Sequence, residues 1–113
     1  MINKKISILI PVYNSAENLK NFITNLISVC NKKFKSFEII LVDDDSKDNS
    51  WQIIENLSTI YQNLKCVQLR KNVGQHNAVF SGLHYCEGDI IVTMDDDGQN
   101  SPESIEKIII ELE

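Results

Sequence analysis

The chain is poor in cysteine, has no long apolar run and carries no excess of positive charge. Its three cysteines, Cys30, Cys66 and Cys86, are an odd number, widely spaced, with no Cys-x-x-Cys pair. That argues against a disulfide or zinc framework and fits reduced thiols in a cytoplasmic protein. The longest apolar runs are a few residues, so no stretch reads as a membrane span. The opening Met-Ile-Asn-Lys-Lys-Ile is basic but lacks the apolar stretch of a secretory signal. A formal net charge of −5 argues against a nucleic-acid partner. No internal repeat, low-complexity tract or linker divides the 113 residues. With 42% hydrophobic and 24% charged residues, the composition is that of one small globular domain, neither disordered nor collagen-like.

What the sequence does contain is an alternation of two periods. Ile6 to Val12 is a nearly continuous apolar run rich in β-branched residues, the pattern of a strand buried on both faces. Asn14-Ser15 is a helix entry, after which Leu19, Phe22, Ile23, Leu26, Ile27 and Cys30 recur at helical spacing. Phe37 to Val42 reads as a second strand, and Asp48 as the cap of a helix with Ile53, Ile54, Leu57, Ile60 and Tyr61 on its apolar face. Leu64 to Leu69 is a third, weaker strand. Gly74 opens a segment with Ala78, Val79, Gly82, Leu83 and Cys86 on one face, and Gly88-Asp89 turns into a fourth strand, Ile90 to Met94. Ser101-Pro102-Glu103 is a helix start, followed by the stripe Ile105, Ile108, Ile109 and Leu112. The sum is βαβαβαβα, the pattern of an α/β layer fold with a mainly parallel sheet.

In such a sheet, ligands bind outside the carboxyl ends of the strands. The unusual residues fall there: Pro11 to Asn14, Asp43-Asp44-Asp45-Ser46, Arg70 to His76, and Asp95-Asp96-Asp97-Gly98-Gln99-Asn100. Two triple-aspartate runs on one rim need a counter-charge, because like charges about 4 Å apart repel by about 1 kcal/mol even in water. A divalent cation relieves this. Carboxylates and a Gln carbonyl are hard oxygen donors that suit Mg²⁺ or Mn²⁺, and such an ion completes its shell with waters and phosphates. The plain alternative is that Asp and Asn at strand ends serve as turn formers and caps. An EF-hand reading of Asp95, Asp97, Gln99 and Glu106 fails, since Asn100 stands at the turn-glycine position and a strand precedes the loop. His76 and His84 lack the companion spacing of a metal motif and read as surface or partly packed histidines.

These landmarks resemble the nucleotide-binding half of family 2 glycosyltransferases of the GT-A fold. They are Ile8 to Asn14, Glu38 to Asp48, Asn72 to Ala78, Gly88-Asp89 and Met94 to Glu103, in that order, over essentially the whole chain. The last is most similar to the branch that includes dolichol-phosphate mannose synthase and bacterial undecaprenyl-phosphate sugar transferases. In that branch the aspartates are followed by Leu-Gln and a proline pair; here Gly98 and Ser101 replace the Leu and the first Pro, while Gln99, Pro102 and Glu103 are kept.

The resemblance implies a Rossmann-like, three-layer α/β/α fold and the transfer of a sugar from a nucleotide-diphosphate sugar, a UDP-sugar, by metal-assisted inverting displacement. The acceptor it implies is a glycan or a polyprenyl phosphate, in cell wall or polysaccharide biosynthesis. It assigns Pro11, Tyr13, Val42 and Asp44 to the nucleotide base, and Asp95, Asp96 and Asp97 to the ribose and diphosphate. Asp95 and Asp97 form the catalytic pair of the Asp-x-Asp segment, and Asp97 and Gln99 are the ligands of Mn²⁺ or Mg²⁺. Ser15 stands where that branch commonly has an acid contacting the nucleotide, and Glu17 is two residues on. Residues 1–113 are then the donor-binding part of a GT-A domain, ending where the family's acceptor half begins. A full-length form would be compatible with a place at the inner face of the cytoplasmic membrane.

Two rivals remain at this level. A sugar nucleotidyltransferase would want a glycine-rich basic loop after the first strand, where Tyr13-Asn14-Ser15-Ala16-Glu17 has no glycine. A receiver-like signalling or interaction domain would want a phosphoacceptor Asp at the end of the third strand, which instead ends in Leu69-Arg70-Lys71. The outer edge of the fourth strand, lacking its normal cover, predicts homodimerisation or aggregation. Light scattering at high concentration should therefore read a mass above that of one chain; a clean monomer counts against it.

Overall fold

The structure, a computed structural model, describes residues 3–95. Its elements are β1 (Ile6–Val12), α1 (Ala16–Lys33), β2 (Phe37–Asp43), α2 (Ser50–Ile60), β3 (Leu64–Gln68), α3 (Gln75–Leu83) and β4 (Ile90–Thr93). The helix expected from Ser101 and its apolar stripe lie outside the described residues, as do Asp96, Asp97 and Gln99.

All four strands are parallel, in the order β3-β2-β1-β4. β1 and β2 are buried along their whole length, as their unbroken apolar runs predict, whereas β3 and β4 are partly exposed. Ile6, Ile8, Ile10 and Val12 of β1 pack with the buried stripes of α1 and α2 on one face. Leu9, Ile40 and Val42 pack under Ala78 of α3 on the other. The result is the expected three-layer α/β/α arrangement. It also excludes the receiver-like rival: in receiver-like folds β3 lies beside β1, whereas here β3 lies outside β2 and the chain crosses over α3 to place β4 on the far side of β1.

The buried stripe of α1 is the six residues that spacing predicts, Leu19 to Cys30. On α2 the stripe is Ser50, Ile54 and Leu57, and Ile60, expected on this face, is 66% exposed. At 100° per residue Ile60 falls about 90° from the stripe's centre. Leu83 is displaced from its face in the same way and is also exposed, and Cys86 lies beyond the end of α3. α3 sits close to the sheet because its contact residues are small. A Cβ at Gly82 would collide with Leu9 Cδ1 and come within 2.7 Å of Val42 Cγ2. Burial pushes the Cys30 thiol up to about 12 and the Cys66 thiol up to about 11, so neither is a thiolate nucleophile at neutral pH.

Opposite the carboxyl rim, a buried polar network ties the strand starts together. Glu38 is 3% exposed and accepts from Ser7 Oγ (2.5 Å) and the Glu87 amide (2.6 Å); Lys65 Nζ lies 2.8 Å from its other oxygen. The Gly88 amide in turn donates to Ser7 Oγ. Burial alone would raise the Glu38 pKa, but the Glu87 amide, Lys65 and Ser7 outweigh it and hold the carboxyl below its usual range. A depressed folded pKa gives stability that is present above the unfolded value, about 4.3, and is lost as pH falls through the folded one. Glu38→Gln is expected to cost about 2–3 kcal/mol at pH 7. Its urea midpoint should also fall less between pH 5 and pH 3 than the wild type's, and equal acid slopes would remove Glu38 from the account.

Candidate functional site

β1 is where the chain reverses its direction of travel across the sheet, so the crevice between the carboxyl ends of β1 and β4 is the switch point at which open α/β sheets bind ligands. Pro11 opens it. The carbonyl of Leu9 accepts from the Met94 amide, and two residues on, Pro11 faces the same side, past the last β1–β4 pair, Leu9↔Thr93. A residue without an N–H costs nothing where the ladder has ended. Beside it lies a cavity of about 740 Å³ whose lining includes Pro11, Gln75, His76, Phe80, Met94 and Asp95. That volume is in the range of small-ligand sites.

The rim is built by loops that bond to one another. Asn14 and Asp45 take up left-handed φ values of 52° and 58°, which Asn and Asp tolerate better than most residues. The Asn14 amide donates to Ser46 Oγ, and its side-chain oxygen accepts from the Lys47 amide at 2.7 Å. Asp48 then serves two helix starts. Its Oδ2 accepts from the Ala16 amide at the head of α1, and its Oδ1 from the amide and hydroxyl of Ser50 at the head of α2. Partial burial opposes its ionisation, but the Ser50 and Ala16 donors prevail and lower its pKa. The sequence reading of Asp48 as a cap for α2 therefore misses half of its work. Ser15 is engaged locally, with its hydroxyl donating to the Tyr13 carbonyl, and Glu17 is exposed on the first turn of α1.

The three side chains of the first aspartate run turn to different partners. Asp43 is fully buried and accepts from the Ser46 amide. Asp45 pairs with Lys47 Nζ at 3.0 Å. Asp44, 3% exposed, grips the loop before α3: Oδ1 accepts from the Val73 amide (2.8 Å), and Oδ2 from the Gly74 amide (3.0 Å) and Asn72 Nδ2 (3.1 Å). Protein donors engage each aspartate of this run, but only Lys47 brings a counter-charge, and Asp43 Oδ1 is buried without a hydrogen-bond partner. Among the described residues, no group of three or more His, Cys, Asp or Glu could hold a metal ion.

The remaining sequence-assigned residues fall as follows. Pro11 and Asp95 line the same cavity. Tyr13 is 47% exposed at the rim, offering a ring face. Val42 pairs with Pro11 in register, but its side chain lies in the core under α3. Asp95 Oδ1 accepts from Gln75 Nε2 on the first turn of α3. Gln75 and Phe80, the latter 68% exposed, were not singled out by sequence reasoning. The signal available for Gln75 was its place directly after Gly74, whose φ of 92° turns the chain into α3.

Comparisons with known proteins agree with the fold. The family model described as Glycosyl transferase family 2 matches residues 7–113. An undecaprenyl-phosphate 4-deoxy-4-formamido-L-arabinose transferase from Proteus mirabilis (strain HI4320) is 38% identical over 110 residues, 96% of this chain and 34% of that protein. The mannosyltransferase PcManGT from Pyrobaculum calidifontis, solved in complex with GDP-Man and Mn²⁺, superposes with a TM-score of 0.76 over 86% of this chain and 28% of that one; at 21% identity the likeness is one of fold. TarS 1-349 of S. aureus, solved in complex with UDP-GlcNAc, superposes with a TM-score of 0.67 at 31% identity, over 82% of this chain and 26% of that one. The chain spans about a third of the length of the curated relatives it matches.

Asp48→Ala removes the acceptor for donors at two helix starts and should cost about 1–3 kcal/mol in denaturant unfolding. A loss no larger than that of an exposed surface alanine would show that the two heads are satisfied by water.

Proposed function

We propose a donor-binding role from one premise: the chain belongs to glycosyl transferase family 2. On this reading residues 1–113 bind a UDP-sugar for transfer to a polyprenyl phosphate. The observation that carries it is the placement of Pro11, Asp44 and Asp95 at the carboxyl ends of β1, β2 and β4, with Pro11 and Asp95 lining a cavity of ligand size at the switch point. The Proteus relative, named as an undecaprenyl-phosphate transferase, supports the acceptor class, and TarS, solved with UDP-GlcNAc, supports the donor class.

In the proposed reaction an acceptor phosphate oxygen attacks the anomeric carbon. The bond to the nucleoside diphosphate breaks on the opposite side, inverting the configuration. A phosphate acceptor is already largely ionised at neutral pH, so the protein's task is to position the reactants and to stabilise charge. The exposed ring of Tyr13, next to Pro11, packs on the base. Asp44 accepts the base's ring N–H: an ionised carboxylate offers about four lone-pair positions, and the loop takes three of them. Val42, with its side chain in the core, fixes the strand end from which Asp44 reaches the base. Asp95 and Asp96 take the ribose and diphosphate.

A metal fits the donor set. Asp95 places a hard oxygen donor at the crevice, and the sequence continues with a carboxylate at Asp97 and an amide carbonyl at Gln99, which lie outside the described residues. Asp97 and Gln99 would hold Mn²⁺ or Mg²⁺, which when bound supplies Lewis-acid stabilisation of the leaving diphosphate. Calorimetric titration of the chain with UDP, GDP and UDP-sugars tests this. UDP should bind when Mn²⁺ is present and bind more tightly than GDP, and Asp97→Ala should abolish the metal-dependent part. Absence of UDP binding with Mn²⁺ sinks the proposal.

A further inference from the structure

We infer that residues 72–75 form a strap joining the two acidic corners of the rim, and that Gln75 is a positioning residue for Asp95. This rests on the donor-binding reading above. The corners are the ends of β2 and β4, which lie on opposite sides of β1 and share no pairing. Asp44 fixes one end of the strap: its carboxylate takes the Val73 and Gly74 amides, and its carboxylate and carbonyl both accept from Asn72 Nδ2. Gly74 then turns at φ 92°, its carbonyl accepts from the Ala78 amide, and α3 begins. The next side chain, Gln75, donates Nε2–H to Asp95 Oδ1.

Three features make this more than a chance surface contact. The anchor is a buried carboxylate with three donors, so residues 72–74 cannot drift. The helix that carries Gln75 is itself pinned to the sheet by Ala78 and Gly82. Asp95 stands two residues past the end of β4, beyond the last β1–β4 pair. A neutral amide donor fixes one carboxylate oxygen without cancelling the charge, and leaves the other oxygen for a ligand. A lysine at this position would fix Asp95 equally well but would neutralise it. The strap therefore orients Asp95 toward the crevice while conserving its negative charge, which a bound ribose hydroxyl or a cation-bridged diphosphate requires.

The test has a ligand-free arm and a ligand arm, both on the 113-residue chain. In ¹⁵N spectra without nucleotide, Asp95→Asn should shift the Gln75 side-chain amide pair, and Asn72→Ala should shift the Val73 and Gly74 amides and that same pair. An unmoved Gln75 pair in both variants overturns the strap. In calorimetry with UDP and Mn²⁺, Gln75→Ala should weaken binding about fivefold with an unchanged thermal midpoint, the net scale of one ordinary hydrogen bond. Gln75→Glu, which sets a second carboxylate against Asp95, should weaken binding further. Wild-type binding that both Gln75 variants retain overturns the positioning role alone. A wild-type chain that binds no UDP with Mn²⁺, while the spectral coupling is seen, overturns the donor-binding reading and leaves the strap as a structural element only.

Discussion

The buried carboxylate of Asp44 is the fixed point on which the rim depends. It sits at the end of a strand whose every residue is buried, so its position is set by the core. From there it holds a loop that would otherwise be free, because backbone N–H groups bonded to an ionised carboxylate are stronger than neutral pairs and a buried acid without them would be costly. Its own amide donates to the Val12 carbonyl, tying it to β1 as well. β1, β2, the β3–α3 loop and the head of α3 thus share one joint. Cα geometry alone would not give this; the same sheet with an alanine at this position would have the strand order but not the loop.

The two ends of the sheet carry different burdens. At the amino end, Glu38, Ser7, Lys65 and the turn at Glu87 and Gly88 form a closed network that fixes where β4 enters. At the carboxyl end, polar groups are partly spent on loops and partly left at a crevice. A fold that locks one end with buried polar bonds can present loops at the other without losing strand register, since Lys5 and Asp89 bond at the start of β4, well away from Asp95. That division is common to open α/β sheets whose functional residues sit on loops held by a rigid scaffold.

How much of this could be read from sequence differs by feature, for physical reasons. Apolar periodicity reports burial directly, so the elements, the α1 stripe and the two-faced burial of β1 and β2 were legible. Positions about 90° off a stripe, such as Ile60 and Leu83, were not, because an apolar residue at the boundary satisfies the pattern whether or not it is covered. The aspartate runs were legible as important and illegible in role. Composition cannot say that Asp43, Asp44 and Asp45 point three ways, since alternation along a strand end and a left-handed φ at Asp45 decide that. The bond from Ala16 to Asp48 and the bond from Gln75 to Asp95 were the least legible, as each joins residues 20 or more positions apart and nothing local marks such a bond.

The charge balance of the rim bears on why a cation belongs to the proposed site at all. A diphosphate is itself an anion, and the chain carries a formal net charge of −5. Of the basic residues near the described rim, Lys47 is paired with Asp45, and Arg70 and Lys71 are exposed on the loop ahead of the strap. Asp43, Asp44, Asp45 and Asp48 are served by protein donors, but hydrogen bonding from neutral amides and hydroxyls does not remove their charge. A phosphate group approaching Asp95 therefore meets a negative field that neutral donors cannot reverse, and a few exposed cations at the distance of a loop are screened by solvent. A divalent ion between acid and phosphate changes the sign of that encounter. On the proposed reading, the aspartates that make the rim hostile to a bare nucleotide are what would make it selective for one that arrives with its metal.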